Sequence, residues 1–288
     1  MLDLFQRILK FIRFSHTIFA LPFALGSMMV AAHGFPTPRV IILILIAMVL
    51  ARTAAMAFNR VIDWDIDKQN PRTAGRHKLV SRPLGWALVV IPSLGFLVVC
   101  LFINSLCFFL SPLALAIVFC YSVTKRFTSF TQLFIGLALA VAPVGAWLAV
   151  RGGFAPAPLV LALGVVFWVA GFDLIYALQD HEFDRQKGLG SMVVRYGVPQ
   201  SLRLAQVMHG ILLICLILFG IVAGLGLIYY VSLLLVLGAL IYEHNAAGRL
   251  DVAGINQAFF QSNAFVSVVF VLAVAVDVLA QSASTVAR

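Results

Sequence analysis

The sequence has little charge of either sign. Only 11% of its 288 residues are charged and 62% are hydrophobic, and the mean hydropathy is +1.06. Soluble domains have about 25% charged and about 45–50% apolar residues. The composition therefore excludes an ordinary soluble enzyme, a disordered chain and a nucleic-acid-binding domain. It predicts an all-α polytopic membrane protein that contacts lipid.

Cysteine is also scarce. The four cysteines lie in apolar runs and show neither the spacing of a metal site nor a disulfide framework. We interpret all of them as small buried hydrophobic residues. They are Cys100, Cys107, Cys120 and Cys215.

Long apolar runs predict nine membrane-spanning helices, since each crossing uses about 20 apolar residues. The run over 84–124 is too long for one crossing, and we divide it between Asn104 and Ser105. The run over 204–242 is divided at Gly224 and Gly226, because glycine favours turns. We expect a single membrane domain over residues 1–288, beginning with an amphipathic surface helix over about 2–13. The predicted spans are 17–33, 39–58, 86–104, 107–124, 130–150, 157–178, 204–222, 226–242 and 260–280.

The basic residues predict the orientation in the membrane. With the N-terminus in the cytoplasm, all but three of the 20 Lys and Arg fall on the inner side; Arg39, Arg151 and Arg288 fall outside. This asymmetry is typical of a protein of the bacterial cytoplasmic membrane. The inner side then carries two long polar loops, about 59–85 and 179–203, where we expect function.

The acidic residues are few and unevenly placed. Of the 11 acidic residues, seven lie in two short windows at the inner ends of predicted spans 2 and 6. Acids near the membrane core are costly and usually face polar cavities, so both windows are candidate functional sites. The seven are Asp63, Asp65 and Asp67 in the first window and Asp173, Asp180, Glu182 and Asp184 in the second.

Within each window, acids recur at helical spacing. Asn59, Asp63 and Asp67 are four residues apart and share one helical face, where like charges repel unless a cation offsets them. Oxygen ligands without cysteine or histidine indicate a hard cation, Mg²⁺ above all. Asp65 and Glu182 lie off the shared faces, and we interpret them as solvated loop residues. The second window forms its face with Asp173, Tyr176, Asp180 and Asp184.

Basic residues flank both windows. Mg²⁺ normally binds through one or two carboxylates plus phosphate oxygens of a substrate, and nearby cations would meet the remaining oxygens. Acids and cations together therefore predict a site for a polyphosphate. The candidate cations are Arg52, Arg72, Arg76, Lys125, Arg126 and Lys187.

Together the two windows resemble the aspartate motifs of the UbiA superfamily of intramembrane aromatic prenyltransferases, and most of all its 4-hydroxybenzoate polyprenyltransferase branch. The resemblance covers essentially the whole chain. Residues 121–126, YSVTKR, resemble the family segment whose lysine contacts diphosphate, which is Lys125 here. The chain departs from the pattern at Arg60 and Ala177, where other members often have aspartate.

The resemblance implies nine helices around a central cavity that is open to the cytoplasm and to lipid. It implies Mg²⁺-dependent transfer of a polyprenyl group from an allylic polyprenyl diphosphate to a para-hydroxylated aromatic acid, 4-hydroxybenzoate above all, in quinone biosynthesis. Tyr176 or Phe172 would stabilise the allylic cation, and Arg52 would hold the carboxylate of the acceptor. The implied metal ligands are Asp63, Asp67, Asp180 and Asp184, with Asp63 and Asp180 also catalytic. The implied substrate-binding residues are Asn59, Arg52, Arg72, Arg76, Lys125, Asp173 and Lys187.

Two alternatives stay open at this point. The same chemistry on 1,4-dihydroxy-6-naphthoate would serve menaquinone biosynthesis. An ion-coupled membrane transporter would also carry intramembrane acids. A transport pathway needs polar groups through the depth of the membrane, however, and the acids of the two windows all lie at one face.

Overall fold

The computed structural model describes residues 3–13, 19–71, 73–248 and 252–286, and this part of the chain is helical and contains no β-strand. The all-α class predicted from composition is therefore confirmed. The α-helices are α1 (Leu4–Phe11), α2 (Leu21–Ala32), α3 (Pro38–Ile62), α4 (Trp64–Gln69), α5 (Arg82–Ile103), α6 (Ser105–Thr124), α7 (Thr131–Arg151), α8 (Pro156–Ala177), α9 (His181–Lys187), α10 (Met192–Tyr196), α11 (Val198–Ala223), α12 (Leu227–Ala247) and α13 (Val252–Val286). Short 3₁₀ turns cover Arg76–Lys78 and Leu178–Asp180.

Eight helices in the described ranges are long and apolar enough to cross a membrane, which makes the chain an integral membrane protein. They are α3, α5, α6, α7, α8, α11, α12 and the part of α13 over Phe259–Ala283. The first predicted span, 17–33, lies partly outside the described residues and contains the 12-residue apolar helix α2. The count of nine spans remains a prediction.

Both divisions of the long apolar runs are confirmed. Helix α5 ends at Ile103 and α6 begins at Ser105. Between them the Asn104 side chain accepts a hydrogen bond from the Cys107 amide at 2.8 Å and donates to the Leu148 carbonyl at 2.9 Å. Helix α11 ends at Ala223 and is followed by the capping residue Gly224, whose left-handed φ of +68° is easy for glycine and strained for other residues.

Two predicted boundaries are wrong, because the helices continue past the apolar runs: α11 begins at Val198 rather than 204, and α12 continues to Ala247 rather than 242. Helix α13 begins at Val252, but its apolar span begins at Phe259, close to the predicted 260. Hydropathy marks the segment that fits the hydrocarbon core. A helix can extend beyond that core because its backbone hydrogen bonds are satisfied internally at any depth. The polar loops likewise carry the short helices α4, α9 and α10.

Helix α8 lies at the centre of the bundle and packs against α7, α11, α13 and α2. Leu161, Val165, Trp168 and Val169 on it are completely buried. The backbones of α7 and α8 touch at Gly136, where any Cβ atom would collide with the Val166 carbonyl. This close packing fixes the position of the second acidic window, at the end of α8.

One cysteine interpretation is wrong. Cys100, Cys107 and Cys215 are buried as expected, but Cys120 is exposed on the outside of the bundle. In a membrane-spanning helix every face is apolar, so hydropathy does not separate residues that face lipid from residues that face other helices.

Candidate active site

The first acidic window keeps its helical spacing. Helix α3 ends at Ile62, and Asp63 stands between α3 and α4 with φ −90° and ψ +10°. The backbone hydrogen bonds continue across this junction: the Asp63 amide donates to the Asn59 carbonyl at 3.1 Å, and the Asp67 amide donates to the Asp63 carbonyl at 2.7 Å. The window therefore presents Asn59, Asp63 and Asp67 along one side, as the four-residue spacing predicts.

Asp63 is only 4% exposed and faces two cations. Lys125 Nζ at the end of α6 lies 2.6 Å from Asp63 Oδ2, and Arg126 Nη2 lies 3.5 Å from Asp63 Oδ1. Arg126 also donates to the Ile62 carbonyl at 2.8 Å. Burial raises the pKa of Asp63, and the Lys125 ammonium offsets part of that rise. The first window thus pairs with the segment over residues 121–126, and the expected contact of Lys125 with a diphosphate stays a prediction.

Asp67 has its own pair of guanidinium partners. Arg76 Nη1 lies 3.0 Å and 3.2 Å from the two carboxylate oxygens of Asp67, and Arg60 Nη1 lies 3.6 Å from Oδ2. The Thr73 hydroxyl donates to the Asp67 carbonyl at 3.0 Å and folds the loop back over α4. Charge-assisted contacts of this kind are the strong class of polar contacts, so Asp67 is tightly held.

The second window departs from a single regular helix. Helix α8 ends at Ala177, the chain tightens into the 3₁₀ turn Leu178–Asp180, and α9 begins at His181. A 3₁₀ turn advances the chain by three residues per turn instead of 3.6, so the helical face shifts there. Asp173 and Tyr176 remain on α8 and line a cavity, whereas Asp180 and Asp184 lie at or beyond the turn.

The two windows meet in space although about 110 residues separate them. Asn70 Nδ2 lies 3.3 Å from Asp180 Oδ1, and Lys187 Nζ lies 2.9 Å from Gln69 Oε1. The end of the bundle that contains Asp63, Asp67 and Asp180 is called the acidic pole below. The sequence did not single out Gln69 and Asn70. Their position shortly after Asp67 was nevertheless a signal that their side chains could reach the second window.

The loop after α9 packs directly on the end of α6. The Gly190 amide donates to the Lys125 carbonyl at 2.8 Å, and a Cβ atom at Gly190 would collide with the Thr128 carbonyl. Glycine is therefore required here for close approach of two backbones. This contact fixes the backbone of Lys125 relative to the second window.

A cavity of about 650 Å³ lies inside the bundle beside the acidic pole, since Arg60, which contacts Asp67, is one of its lining residues. It runs along α7 from Ile135 to Ala149, a distance of about 21 Å at the helical rise of 1.5 Å per residue. Its walls are apolar and rich in small side chains. The polar residues that line it include Arg13, Arg52, Arg60, Tyr121, Asp173 and Tyr176. Lining alanines include Ala47, Ala51, Ala55, Ala114, Ala138, Ala142, Ala146 and Ala149.

Three arginines face this cavity. Arg52 Nε is buried and has no hydrogen-bond partner in the described part of the chain. Arg60 lies eight residues further along α3, two turns on the same face, and Arg13 follows α1 with a left-handed φ of 47°. A buried guanidinium NH without a partner indicates a place for an anionic ligand. The sequence predicted only Arg52, although the spacing of eight was a usable signal for Arg60.

The predicted cations are thus divided between two places. Arg76, Lys125, Arg126 and Lys187 lie at the acidic pole, and Arg52 lines the cavity. The prediction for Arg72 lies outside the described residues.

The donor chemistry of the pole fits Mg²⁺. Across the described ranges, no three acidic, histidine or cysteine side chains surround one point. The pole instead offers single carboxylates with amide and cationic neighbours. Mg²⁺ binds through one or two carboxylates and takes its remaining ligands from water and phosphate, so this arrangement suits a metal that a diphosphate helps to hold.

An apolar cavity inside a membrane bundle, with paired acids and cations beside it, is the arrangement of an intramembrane enzyme site. The sequence profile of the UbiA prenyltransferase family matches residues 20–277, and the chain belongs to this family. It is therefore a prenyltransferase, which favours the enzyme over the transporter hypothesis.

Individual relatives agree with this assignment. The chain is 27% identical over 263 residues to a 4-hydroxybenzoate octaprenyltransferase of Marinobacter nauticus, which covers 90% of this chain and 89% of the relative. A UbiA homologue from Aeropyrum pernix in its apo form superimposes with a TM-score of 0.83 at 32% identity, covering 91% and 98% of the two chains. A UbiA homologue from Archaeoglobus fulgidus bound to DMAPP and Mg²⁺ shares the fold, with a TM-score of 0.65 at 20% identity over 92% and 99%.

Proposed function

We propose that the protein transfers a polyprenyl group from an allylic polyprenyl diphosphate to the ring of 4-hydroxybenzoate, with Mg²⁺, in quinone biosynthesis. The observation that carries this proposal is that Arg60, which contacts Asp67 at the acidic pole, also lines the apolar cavity. A diphosphate at the pole places its apolar tail in the cavity, where burial of the tail is favourable.

The pole supplies both kinds of group that a metal diphosphate needs. Asp63, Asp67, Asp180 and Asp184 would hold Mg²⁺, which acts as a Lewis acid on the phosphate oxygens when bound. The A. fulgidus homologue bound to DMAPP and Mg²⁺ supports the use of Mg²⁺ with a prenyl diphosphate by this fold. The basic residues would neutralise the oxygens that the metal leaves free. These basic residues are Arg76, Lys125 and Lys187, with Arg72 as a further candidate. The uncharged amide of Asn59 is also a candidate contact for these oxygens.

The proposed reaction begins when the bond between C1 of the prenyl group and the diphosphate oxygen breaks. The electron pair leaves with diphosphate, where Lys125 and Arg76 stabilise the growing negative charge. The allylic cation is left at the mouth of the cavity beside Asp173 and Tyr176, and the ring face of Tyr176 attracts it. The acceptor ring forms the new carbon–carbon bond ortho to its hydroxyl and then loses a proton at the pole.

The acceptor carboxylate needs a cationic partner inside the cavity. Arg52 offers a buried Nε without a hydrogen-bond partner in the described residues, and Arg13 and Arg60 line the same cavity. An arginine fork binds a planar carboxylate in two-point geometry. The curated relative that acts on 4-hydroxybenzoate favours this acceptor. A dihydroxynaphthoate carries the same carboxylate and para-hydroxyl, so the acceptor panel below includes it.

The membrane position follows from the same features. Leu113 and Leu159 line the cavity and are 58% and 49% exposed, so we expect the cavity to open beside them and a long tail to continue into lipid there. With the N-terminus in the cytoplasm, the acidic pole faces the cytoplasm and the water-soluble acceptor. A reporter fused to the C-terminus should then be found outside, and a cytoplasmic reporter would contradict this orientation.

The deciding experiment uses the purified protein in lipid nanodiscs with Mg²⁺, octaprenyl diphosphate and a panel of aromatic acids. We expect a ring-prenylated 4-hydroxybenzoate, identified by mass and fragmentation, as the main product. The Asp63→Asn variant, reconstituted in the same way, serves as the inactive control. Preferential prenylation of the naphthoate would show that the naphthoate is the acceptor and would leave the proposed mechanism unchanged. Absence of any prenylated acid would contradict the proposal.

A further inference from the structure

Four aromatic rings form one continuous wall of the cavity near the acidic pole. Phe19, Phe172, Tyr176 and Phe259 all line the cavity. The ring centroids of Tyr176 and Phe259 are 4.7 Å apart, those of Phe172 and Phe259 are 5.3 Å apart, and those of Phe19 and Phe259 are 5.7 Å apart. Phe259 touches each of the other three rings and is therefore the central member of this wall.

A buried polar ladder lies behind that wall. Asn263 Nδ2 lies 2.9 Å from Glu243 Oε1 on α12 and 2.8 Å from the Phe259 carbonyl. The Ser267 hydroxyl lies 2.8 Å from the Asn263 carbonyl and 3.4 Å from the Phe19 carbonyl. The side chains of Glu243, Asn263 and Ser267 are completely buried. The ladder thus reaches the main chain of two of the four wall residues.

Burial of this polar ladder in a membrane helix bundle costs free energy. Glu243 is an acidic residue outside both aspartate windows, and burial of a carboxyl group in an apolar interior is costly. Glu243 Oε2 and Asn263 Oδ1 are buried without hydrogen-bond partners in the described residues. Apolar side chains would join α12 to α13 at lower cost. The polar contacts are therefore better explained by the residues that they hold in place than by packing of α12 against α13 alone.

We propose that Phe259 is a catalytic residue that stabilises the allylic cation together with Phe19, Phe172 and Tyr176, and that Glu243 and Asn263 are positioning residues for Phe259. This inference rests on the proposed function. When the carbon–oxygen bond breaks and its electron pair leaves with diphosphate, positive charge spreads over the allylic carbons. Ring faces attract that charge without adding a nucleophile that would trap it, and they keep water away from it.

The first test replaces Phe259 with fluorinated phenylalanines by nonsense suppression. Fluorine withdraws electron density from the ring face and changes the size of the ring little. We expect kcat to fall with each added fluorine, roughly tenfold in total, while KM for the donor stays within about twofold. Phe219 is the matched control, because it is fully buried against Tyr229 and Phe270 and does not line the cavity. A kcat that ignores fluorination at Phe259, or falls equally at Phe219, overturns the catalytic role.

The second test addresses the ladder. Glu243→Leu should lower kcat roughly tenfold, and Glu243→Gln should restore it because glutamine keeps an oxygen acceptor for Asn263. In a Phe259→Leu background, Glu243→Leu should add little further loss. Asp277→Ala is the control, since Asp277 joins α13 to the Gly226 amide at the opposite end of the bundle. Additive losses in the double variant, or equal effects of Glu243→Leu and Asp277→Ala on kcat, overturn the positioning role.

Each of the two tests uses two assays. Prenylated acceptor is measured by mass, and release of inorganic diphosphate is measured separately as donor ionisation. If the wild-type protein releases diphosphate without prenylating any acid, the proposed function fails, while the role of the aromatic wall is still tested by diphosphate release. If the wild-type protein prenylates the acid and fluorination has no effect on either readout, only the proposed role of the aromatic wall fails.

Discussion

Lys125 Nζ lies 2.6 Å from Asp63 Oδ2, and this contact joins the end of α6 to the junction of α3 and α4. The carboxylate of Asp63 is thus already paired before a diphosphate binds. In the proposed mechanism, a metal at Asp63 would compete with Lys125, and the freed ammonium would then be close enough to meet a phosphate oxygen. The pair would thereby couple binding of the metal to binding of the donor.

Removal of the carboxylate charge at the acidic pole should nearly abolish turnover. Asp63→Asn and Asp180→Asn each remove one charged ligand and leave the size of the side chain unchanged, so we expect kcat to fall roughly 100-fold or more. Asp65→Asn is the matched control, because the Asp65 side chain is 70% exposed and pairs only with Lys68 among the described ion pairs. Initial rates at saturating donor measure the effect. Normal rates in both variants would disprove the metal role.

Loss of Arg52 should weaken binding of the acceptor selectively. Arg52→Ala removes the proposed partner of the carboxylate, so we expect KM for 4-hydroxybenzoate to rise roughly tenfold or more, with KM for the donor unchanged. An acceptor without the carboxylate, such as a simple phenol, provides an internal control. Its turnover by the wild-type protein and by the variant should be similar. Equal KM values for 4-hydroxybenzoate would move the carboxylate site away from Arg52.

Metal and diphosphate should stabilise the protein only when both are present. Among the described residues, no three acidic, histidine or cysteine side chains of the pole form one metal cluster, so Mg²⁺ would need phosphate oxygens to complete its shell. A ligand that binds the folded state raises the unfolding temperature. We expect a clear rise with Mg²⁺ and a prenyl diphosphate together, little rise with Mg²⁺ alone, and loss of activity with a chelator. An equal rise with Mg²⁺ alone would indicate a preformed metal site.

A larger side chain at Gly145 should shorten the donors that the protein accepts. Gly145 lies on α7 about 21 Å from the first residue of that helix, lines the cavity, and has no atom within 4 Å of a Cβ position. The Cβ of Gly145→Leu therefore meets no crowded atom, and the rest of the side chain should occupy part of the cavity. We expect kcat/KM to fall for octaprenyl diphosphate and to change little for DMAPP.

Gly238→Leu is the control for that prediction. Gly238 is equally uncrowded but is exposed on α12 and does not line the cavity. Its replacement should leave the preference for donor length unchanged. A parallel loss of long-donor activity in both variants would show that the effect comes from α-helix packing and not from the cavity.

Much of the helical framework is predictable from sequence, because each crossing must satisfy its backbone hydrogen bonds within one helix. The break at Asn104 and the turn at Gly224 were both predictable, since polar and flexible residues interrupt otherwise unbroken apolar runs. Helix ends were less predictable, as α12 shows by continuing to Ala247 instead of ending at 242. Hydropathy contains no information about how far a helix continues into water.

The site was predictable where it depends on local spacing. The four-residue repeat of Asn59, Asp63 and Asp67 appears in the backbone hydrogen bonds of the structure. The contact between Asn70 and Asp180 was not predictable, because it joins segments that are remote in the chain. Arg13 enters the cavity through a left-handed residue conformation, which no periodic pattern signals.

The alanines that line the cavity have a consequence for how enzymes of this type can diversify. The side chains of these alanines are single methyl groups. A larger side chain at one of these positions would therefore fill part of the cavity, and even one added methylene would change the cavity's width. Donor preference can therefore shift through single substitutions while every helix and every charged group at the pole stays in place. The reaction and the choice of tail are separable properties of this bundle.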